Sequence, residues 1–268
     1  MIVAPPAMPP DAPRRWAAPA LLLTVLAVYA AVLPAGFIGY DDPWLVVDNP
    51  LLREGSPRAL VPVWTRLDLA TRMVLGAEFL PVRDTFSWLV ARAAGVSGPA
   101  FHAAQLAVYL GAVALVRAWL HRVLRDPLVA ELAAWLFALH PAHVSSVAWV
   151  AGTKDALSLL FLGGALLAHA GTSRARAPAV ALLTALACLS KGTSVVAPLL
   201  LIASDLLARR RVAWASVSAS AAVALASFAL QMRVGRVVSM IAEPPPTASS
   251  TRTPNSLSAS DVTTIDPG

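Results

Sequence analysis

Charge is scarce in this chain. Of its 268 residues only 13% are Asp, Glu, Lys or Arg, whereas 57% are hydrophobic, and the mean hydropathy is +0.67. That leaves too little polar surface to coat a water-soluble globule of this size, so lipid must form part of its solvent. Cysteine is reduced to Cys188, inside the apolar run LLTALACLS. A lone cysteine excludes an intramolecular disulfide and a cysteine-built metal site, and its plain reading is a small buried hydrophobe. No period of about 20 to 50 residues recurs, which excludes a solenoid. The net charge of +6 does not point to nucleic acid, because the arginines are dispersed between apolar segments and form no aromatic-interleaved patch.

What is present is a series of apolar stretches, each close to the roughly 20 residues a helix needs to cross a bilayer core. The first runs from Trp16 to Leu33, directly after Arg14 and Arg15, which place the amino-terminal residues 1–15 in the cytoplasm. A basic start followed by small residues at Ala30 and Ala31 also fits a cleaved signal peptide. The spans that follow favour an uncleaved helix, and both readings put the next segment outside. That segment, 36–99, is the only long polar stretch and is expected to be a large extracytoplasmic loop with short helices on the membrane surface. Phe101–Leu120 then descends to Arg122 and Arg125, Leu128–His140 rises, and Ala156–Ala170 descends to Arg174 and Arg176.

The stretch Ala179–Ala208 would be ~45 Å long as one helix. A single pass would set Arg174 and Arg176 on the opposite side from Arg209, Arg210 and Arg211, against the positive-inside bias. Two short helices meeting at an outer turn around Ser190-Lys191-Gly192 obey it. Trp214–Gln231 goes outward again. The expected fold is therefore all-α, a polytopic bundle of about seven membrane segments over residues 16–242. Residues 243–268, rich in Pro, Ser and Thr, are expected to be disordered.

On this topology polar groups collect at one outer face: Asp41 and Asp42, Arg83 and Asp84, His140 and His143 with Lys154 and Asp155, and Lys191. His140, Lys154 and Lys191 interrupt or abut apolar runs, where an ionisable group is costly and is a functional-site candidate by default. A pair of carboxylates such as Asp41-Asp42 can act as a general base, bind a divalent metal, or cap a surface helix. The His140-x-x-His143 spacing could hold a metal, but no HExxH or cysteine accompanies it, and a hydrogen-bonded structural pair is the alternative. Lys154, Lys191 and Arg83 suit a phosphate arriving from the membrane. They could equally snorkel to the interface or neutralise Asp155 and Asp84.

Three segments, FIGYDDPWLVVDNPLLR from Phe37, FALHPAHVSSVAWVAGTKDALSLLF from Phe137 and LACLSKGTSVVAPLLLIASDLL from Leu186, resemble the membrane domain of the TMTC-type protein O-mannosyltransferases. Their order and spacing match too, and the resemblance spans Trp16 to Ile241, the amino-terminal part of that domain only. It implies a glycosyltransferase-C fold, an extracytoplasmic active face, a polyprenyl-phosphate sugar as donor and protein Ser or Thr hydroxyls as acceptors. Carried over by position, the acidic motif falls on Asp41 and Asp42, the histidine and lysine motif on His140, His143, Lys154 and Asp155, and the later lysine on Lys191. Arg83 lies in a Pro-Val-Arg-Asp stretch like the family's loop before the second span, although Leu80 stands where a basic or aromatic polar residue is common. The family's tetratricopeptide repeats and later helices do not follow here, and the Pro/Ser/Thr-rich end fits an early stop as well as a solvated tail.

The chemistry expected on that basis is sugar transfer by a mannosyltransferase. Asp41 or Asp42 would deprotonate the acceptor, while Lys154, Lys191 and Arg83, with His140 and His143, hold the departing lipid phosphate and Asp155 supports them. No motif demands a cofactor, and a divalent metal is left open. Two alternatives stand beside it: a transferase acting on lipid or envelope glycan, and a non-catalytic membrane subunit that binds polyprenyl phosphate.

Overall fold

A computed structural model describes residues 12–242. The expected disordered tail over 243–268 and most of the segment 1–15 lie outside the described residues. Among the described residues every regular element is helical. Helix α1 (Ala12–Tyr29) continues as a 3-10 turn to Val32. The long polar segment folds into a π-helical turn over Pro43–Val47 and four helices, α2 (Pro50–Arg53), α3 (Leu60–Thr65), α4 (Leu69–Val74) and α5 (Pro81–Ala94). Local chemistry sets these boundaries: Asn49 accepts from Leu51 N and Asp68 from Thr71 N at the starts of α2 and α4. Pro81 opens α5, and Gly95, at φ +77°, ends it. The remaining elements are α6 (Gly98–Val123), α7 (Pro127–Ala138), α8 (Val144–Ala148), α9 (Thr153–Ala170), α10 (Arg176–Ser190), α11 (Ala197–Leu207) and α12 (Trp214–Ala242).

Contacts fix the direction of each long helix relative to α6. Its first residue, Gly98, lies so close to the chain after α1 that an added Cβ would sit 2.4 Å from Ala35 O. Helix α1 runs antiparallel to it, with the Tyr29 and Tyr109 rings edge to face at 5.7 Å. So does α7, through Arg117 to Glu131 at one end and the Tyr109 hydroxyl donating to Ala138 O nearer the other. Helix α9 runs parallel to α6, with Gly111 against Leu160, Gly163 against Val116, and Arg122 donating to Leu167 O. The next three alternate: Arg176 donates to Gly171 O at the foot of α10, Lys191 returns to Asp155 at the head of α9, and Asp205 of α11 reaches His169 at its foot. Helix α12 starts beside His169 through Ser216 and rises until Gln231 donates to Phe79 O. One end of the bundle therefore carries the polar segment 36–99, the loop end, and the other carries Arg122, Arg176 and Arg210, the basic end.

Among the described residues three stretches are long and apolar enough to cross a membrane, Gly98–Val123, Val150–Ala170 and Trp214–Val238. A fourth is obtained if Pro127–Ala138 and Pro141–Ala148, bent by 45°, count as one span. Trp16–Val32, Arg176–Ser190 and Gly192–Leu207 are apolar but shorter. By length and composition three or four of the about seven expected segments are therefore supported as spans. The outer surface of the bundle is apolar, with Leu136 74% and Leu225 69% exposed, as a lipid-facing wall requires and a water-facing one would not. The chain is a membrane protein. The expected break between the fifth and sixth segments is present, since α10 stops at Ser190 and Lys191 is extended before a 3-10 turn over Gly192–Val196.

Among the described residues three apolar clusters hold the assembly. Leu21, Val25, Leu106, Tyr109 and Ala134 join α1, α6 and α7. Leu166, Val180, Leu201 and Val217 join α9 to α12. Leu52, Val63, Trp88 and Phe101 lie under the loop helices and seat them on the start of α6. Close approach of α6 and α9 depends on Gly163, where an added Cβ would meet Leu115 at 3.3 Å and Val116 at 3.4 Å. Gly163→Leu is therefore expected to destabilise the protein by about 1–3 kcal/mol through overpacking. Gly235→Ala, with nothing within 4 Å, should be neutral or stabilise by up to about 1 kcal/mol. Denaturation midpoints in one detergent compare the two, and equal effects would contradict this packing.

Candidate functional site

The loop end gathers three cations and three carboxylates from distant parts of the chain. Arg83 of α5 is 5% exposed, and its guanidinium donates to Asp84 Oδ1 at 2.7 and 2.8 Å, to Leu75 O at 2.7 Å and to Glu78 Oε2 at 3.1 Å. Lys154, in the first turn of α9, donates to the same Glu78 oxygen at 2.9 Å. Lys191, at the turn between α10 and α11, pairs with Asp155. Burial pushes the Asp84 carboxyl above the ordinary aspartate range, against the opposing pull of Arg83. The Asp84 Oδ2 atom has no hydrogen-bond partner among the described residues, and Asp84 lines a cavity of about 10 Å³ that is far too small for a sugar. The ammonium groups are more open, with the side chains of Lys154 and Lys191 25% and 33% exposed. These two heads and Glu78 form the accessible rim of the cluster.

Asp41 and Asp42, equal in the sequence, differ in the fold. Asp42 is fully buried: its Oδ2 accepts from Ile38 N and its Oδ1 from Ala151 N, each at 2.8 Å. A carboxylate held at both oxygens by backbone amides ties the first loop to the segment before α9, and cannot also approach a substrate hydroxyl. Asp41 is half-buried, and its side chain has no hydrogen bond or ion pair among the described residues. Of the pair, Asp41 alone is available as a base.

The histidines stand apart from the cations. His140 is exposed, and its Nδ1 accepts from Ala142 N, capping the 3-10 turn over Pro141–His143. His143 lies against aromatic rings, 4.7 Å from Phe137 and 5.7 Å from Tyr109 between centroids. Among the described residues no hydrogen bond, ion pair or ring contact joins His140 or His143 to Arg83, Lys154 or Lys191. Nor does any group of three or more His, Cys, Asp or Glu side chains there have an arrangement suited to a metal ion. His140 is thus held by a backbone amide and His143 by ring packing.

Glu78 was not singled out by the sequence, yet it links two of the three cations. Its only sequence signal is the adjoining Gly76-Ala77, a turn element before a helix. At the basic end Ser216, His169 and Asp205 stand in a row, with Oγ to Nδ1 at 2.8 Å and Nε2 to Oδ2 at 3.0 Å. That order resembles a catalytic triad, but all three side chains are 0% exposed, so no substrate can reach them. Together with Arg210, which pairs with Asp205 and donates to His169 O and Ala170 O, they tie α9, α11 and α12 together.

The contrast between the two aspartates is measurable. Asp42→Asn places an amide NH₂ against a backbone N–H in a buried site, at an expected cost of about 1–3 kcal/mol. Asp41→Asn should change stability by no more than about 0.5 kcal/mol. Denaturation of both variants in detergent checks this, and an equal loss would refute the assignment of Asp42 as the tie. No known protein family, curated protein or solved structure matches this chain.

Proposed function

We propose that the protein is a membrane glycosyltransferase that moves a sugar from a polyprenyl-phosphate donor to a Ser or Thr hydroxyl of a protein on the extracytoplasmic face. The observation that carries this reading is the convergence of Arg83, Lys154 and Lys191, from three segments far apart in sequence, at the end of an apolar bundle away from its short basic turns. A lipid-linked phosphate reaches its site through the bilayer, and cations at the rim of a membrane bundle are what would meet it. The placement of the sites outside follows from the alternation of α1, α6, α7 and α9 to α12, if all seven act as membrane segments of a glycosyltransferase-C-like fold with the amino terminus inside. Arg122, Arg176 and Arg210 then fall on the cytoplasmic side, in keeping with the positive-inside rule. Mannose as the sugar and protein as the acceptor rest on the resemblance of the three segments.

In this reading Asp41 takes the proton of the acceptor hydroxyl as the oxygen bonds to the anomeric carbon. The bond from that carbon to the phosphate oxygen breaks, and its electron pair stays on the phosphate, which gains one negative charge. Lys154, Lys191 and Arg83 offset that charge, so no general acid is needed at the leaving group. Attack opposite the phosphate inverts the anomeric centre. His140 and His143 contribute through the conformation of the turn that leads to Lys154 rather than through phosphate contact.

Membranes containing the protein, fed radiolabelled polyprenyl-phosphate mannose, should transfer label to protein. Asp41→Asn is expected to lower the rate by about 100-fold or more, and Lys154→Met by about 100- to 1,000-fold. Full activity in Asp41→Asn would remove the base assignment. Label recovered in lipid or glycan would shift the acceptor, and donor binding without turnover would leave a non-catalytic polyprenyl-phosphate binder.

A further inference from the structure

Glu78 sits where a phosphate would be expected. Its Oε2 lies 3.1 Å from Arg83 Nη1 and 2.9 Å from Lys154 Nζ, the position an anionic oxygen bridging these two donors would take. We propose that the Glu78 carboxylate is a tethered occupant of a phosphate position, expelled when the phosphate group of a polyprenyl phosphate enters between Arg83 and Lys154. This rests on the reading of the cluster as a lipid-phosphate site.

The donors of the cluster are already occupied, which requires some such exchange. Arg83, Lys154 and Lys191 are engaged by Glu78, Asp84 and Asp155, and the nearby Arg72 is fully buried and donates to the carbonyls of Pro62, Val63 and Glu78, out of reach of an incoming anion. One carboxylate must leave for a phosphate to gain two donors. Asp84 is 6% exposed and follows Arg83 in the same helix, and Asp155 is held by Lys191. Glu78 is 42% exposed and is gripped through one oxygen only, because Oε1 has no partner among the described residues. It is the carboxylate that can leave at least cost.

The backbone before Glu78 is strained. Gly76 and Ala77 both have positive φ, +82° and +57°, and for alanine that left-handed conformation is costly. The turn is held by Ala77 N donating to Arg72 O, by Leu75 O accepting from Arg83 and by Glu78 O accepting from Arg72 at 3.5 Å. Arg83 thus grips the segment at Leu75 and the Glu78 side chain, while Arg72 holds the Glu78 backbone. A phosphate that takes over the Nη1 donor removes the side-chain grip and frees the Glu78 carboxylate to swing outward on a fixed backbone. After transfer the leaving phosphate carries one more negative charge than the donor and is held more tightly, and a returning Glu78 competes with it for the same two cations.

Titration of purified protein in detergent with farnesyl phosphate, and in parallel with inorganic phosphate, tests this. Glu78→Gln should bind the phosphate probe about five- to tenfold more tightly than the unaltered protein, the size of a partly exposed ion pair removed from competition. Glu78→Asp, one methylene shorter and unable to bridge both cations, should show a gain in the same direction. Without ligand Glu78→Gln should melt at a lower temperature, and saturating farnesyl phosphate should restore the midpoint. A gain with both probes assigns recognition to the phosphate group alone, and a gain with farnesyl phosphate only adds the lipid tail. Unchanged or weaker binding in both Glu78 variants, with binding lost in Lys154→Met, would overturn the role of Glu78 and keep the phosphate site. Binding absent throughout, or unaffected by Lys154→Met, would overturn both.

Discussion

An ionised side chain taken out of water must find its counter-charge or hydrogen-bond partners inside the fold, and this requirement positions the helices of this bundle. At the basic end Glu131 accepts from both Arg117 and His121 and so pins α7 to α6. Asp205, fully buried, takes Arg210, His169 and the backbone of Ala213, and closes α9, α11 and the start of α12 into one unit. At the loop end Asp42 draws two backbone amides from segments 109 residues apart in one case and four in the other. Apolar contacts fill the space between these ties but are interchangeable along a helix face. The charged ties are not, and they fix which helix meets which and at what height.

The sequence made some of this legible, because membrane burial is a demand on composition. Lys191 inside an apolar stretch, together with the basic residues at both ends of that stretch, predicts a reversal, and α10 and α11 do reverse there. The parallel pairing of α6 and α9 follows from the same reasoning, since α7 must return between them. Span length was less legible. A run of apolar residues does not reveal where proline, a bend or a 3-10 turn will cut it, as at Pro141 and at Gly192–Val196.

Site residues separated along a different line. Lys154 and Lys191 could be found because a cation beside an apolar run is conspicuous, whereas Arg83, in the polar stretch, stood out only through its Pro-Val-Arg-Asp surroundings. Which of Asp41 and Asp42 would be free could not be found, because the partner that buries Asp42 is the amide of Ala151, and every residue has an amide. For His140 and His143 the deciding partners are likewise ordinary ones, a backbone N–H and two rings. Glu78 lay unremarked among many loop charges, since only the folded turn at Gly76-Ala77 brings it between two cations.

The two ends of the bundle answer the same electrostatic demand in opposite ways, and that difference argues for where chemistry belongs. At the basic end the central carboxylate and histidine, Asp205 and His169, are fully buried, and although Arg210 is 31% exposed, the carboxylate it pairs with cannot leave without becoming a bare charge in an apolar interior. At the loop end the inner pair of Arg83 and Asp84 is similarly sealed, but the outer groups, Lys154, Lys191, Asp155 and Glu78, range from 25% to 42% exposed. Water can meet a charge that changes partner at that rim, so exchange costs little. A site that must accept, hold and release an anion needs a rigid inner pair to orient it and an exchangeable outer layer to admit it. The loop end has both, with a cation and a carboxylate, Lys154 and Glu78, paired in its outer layer.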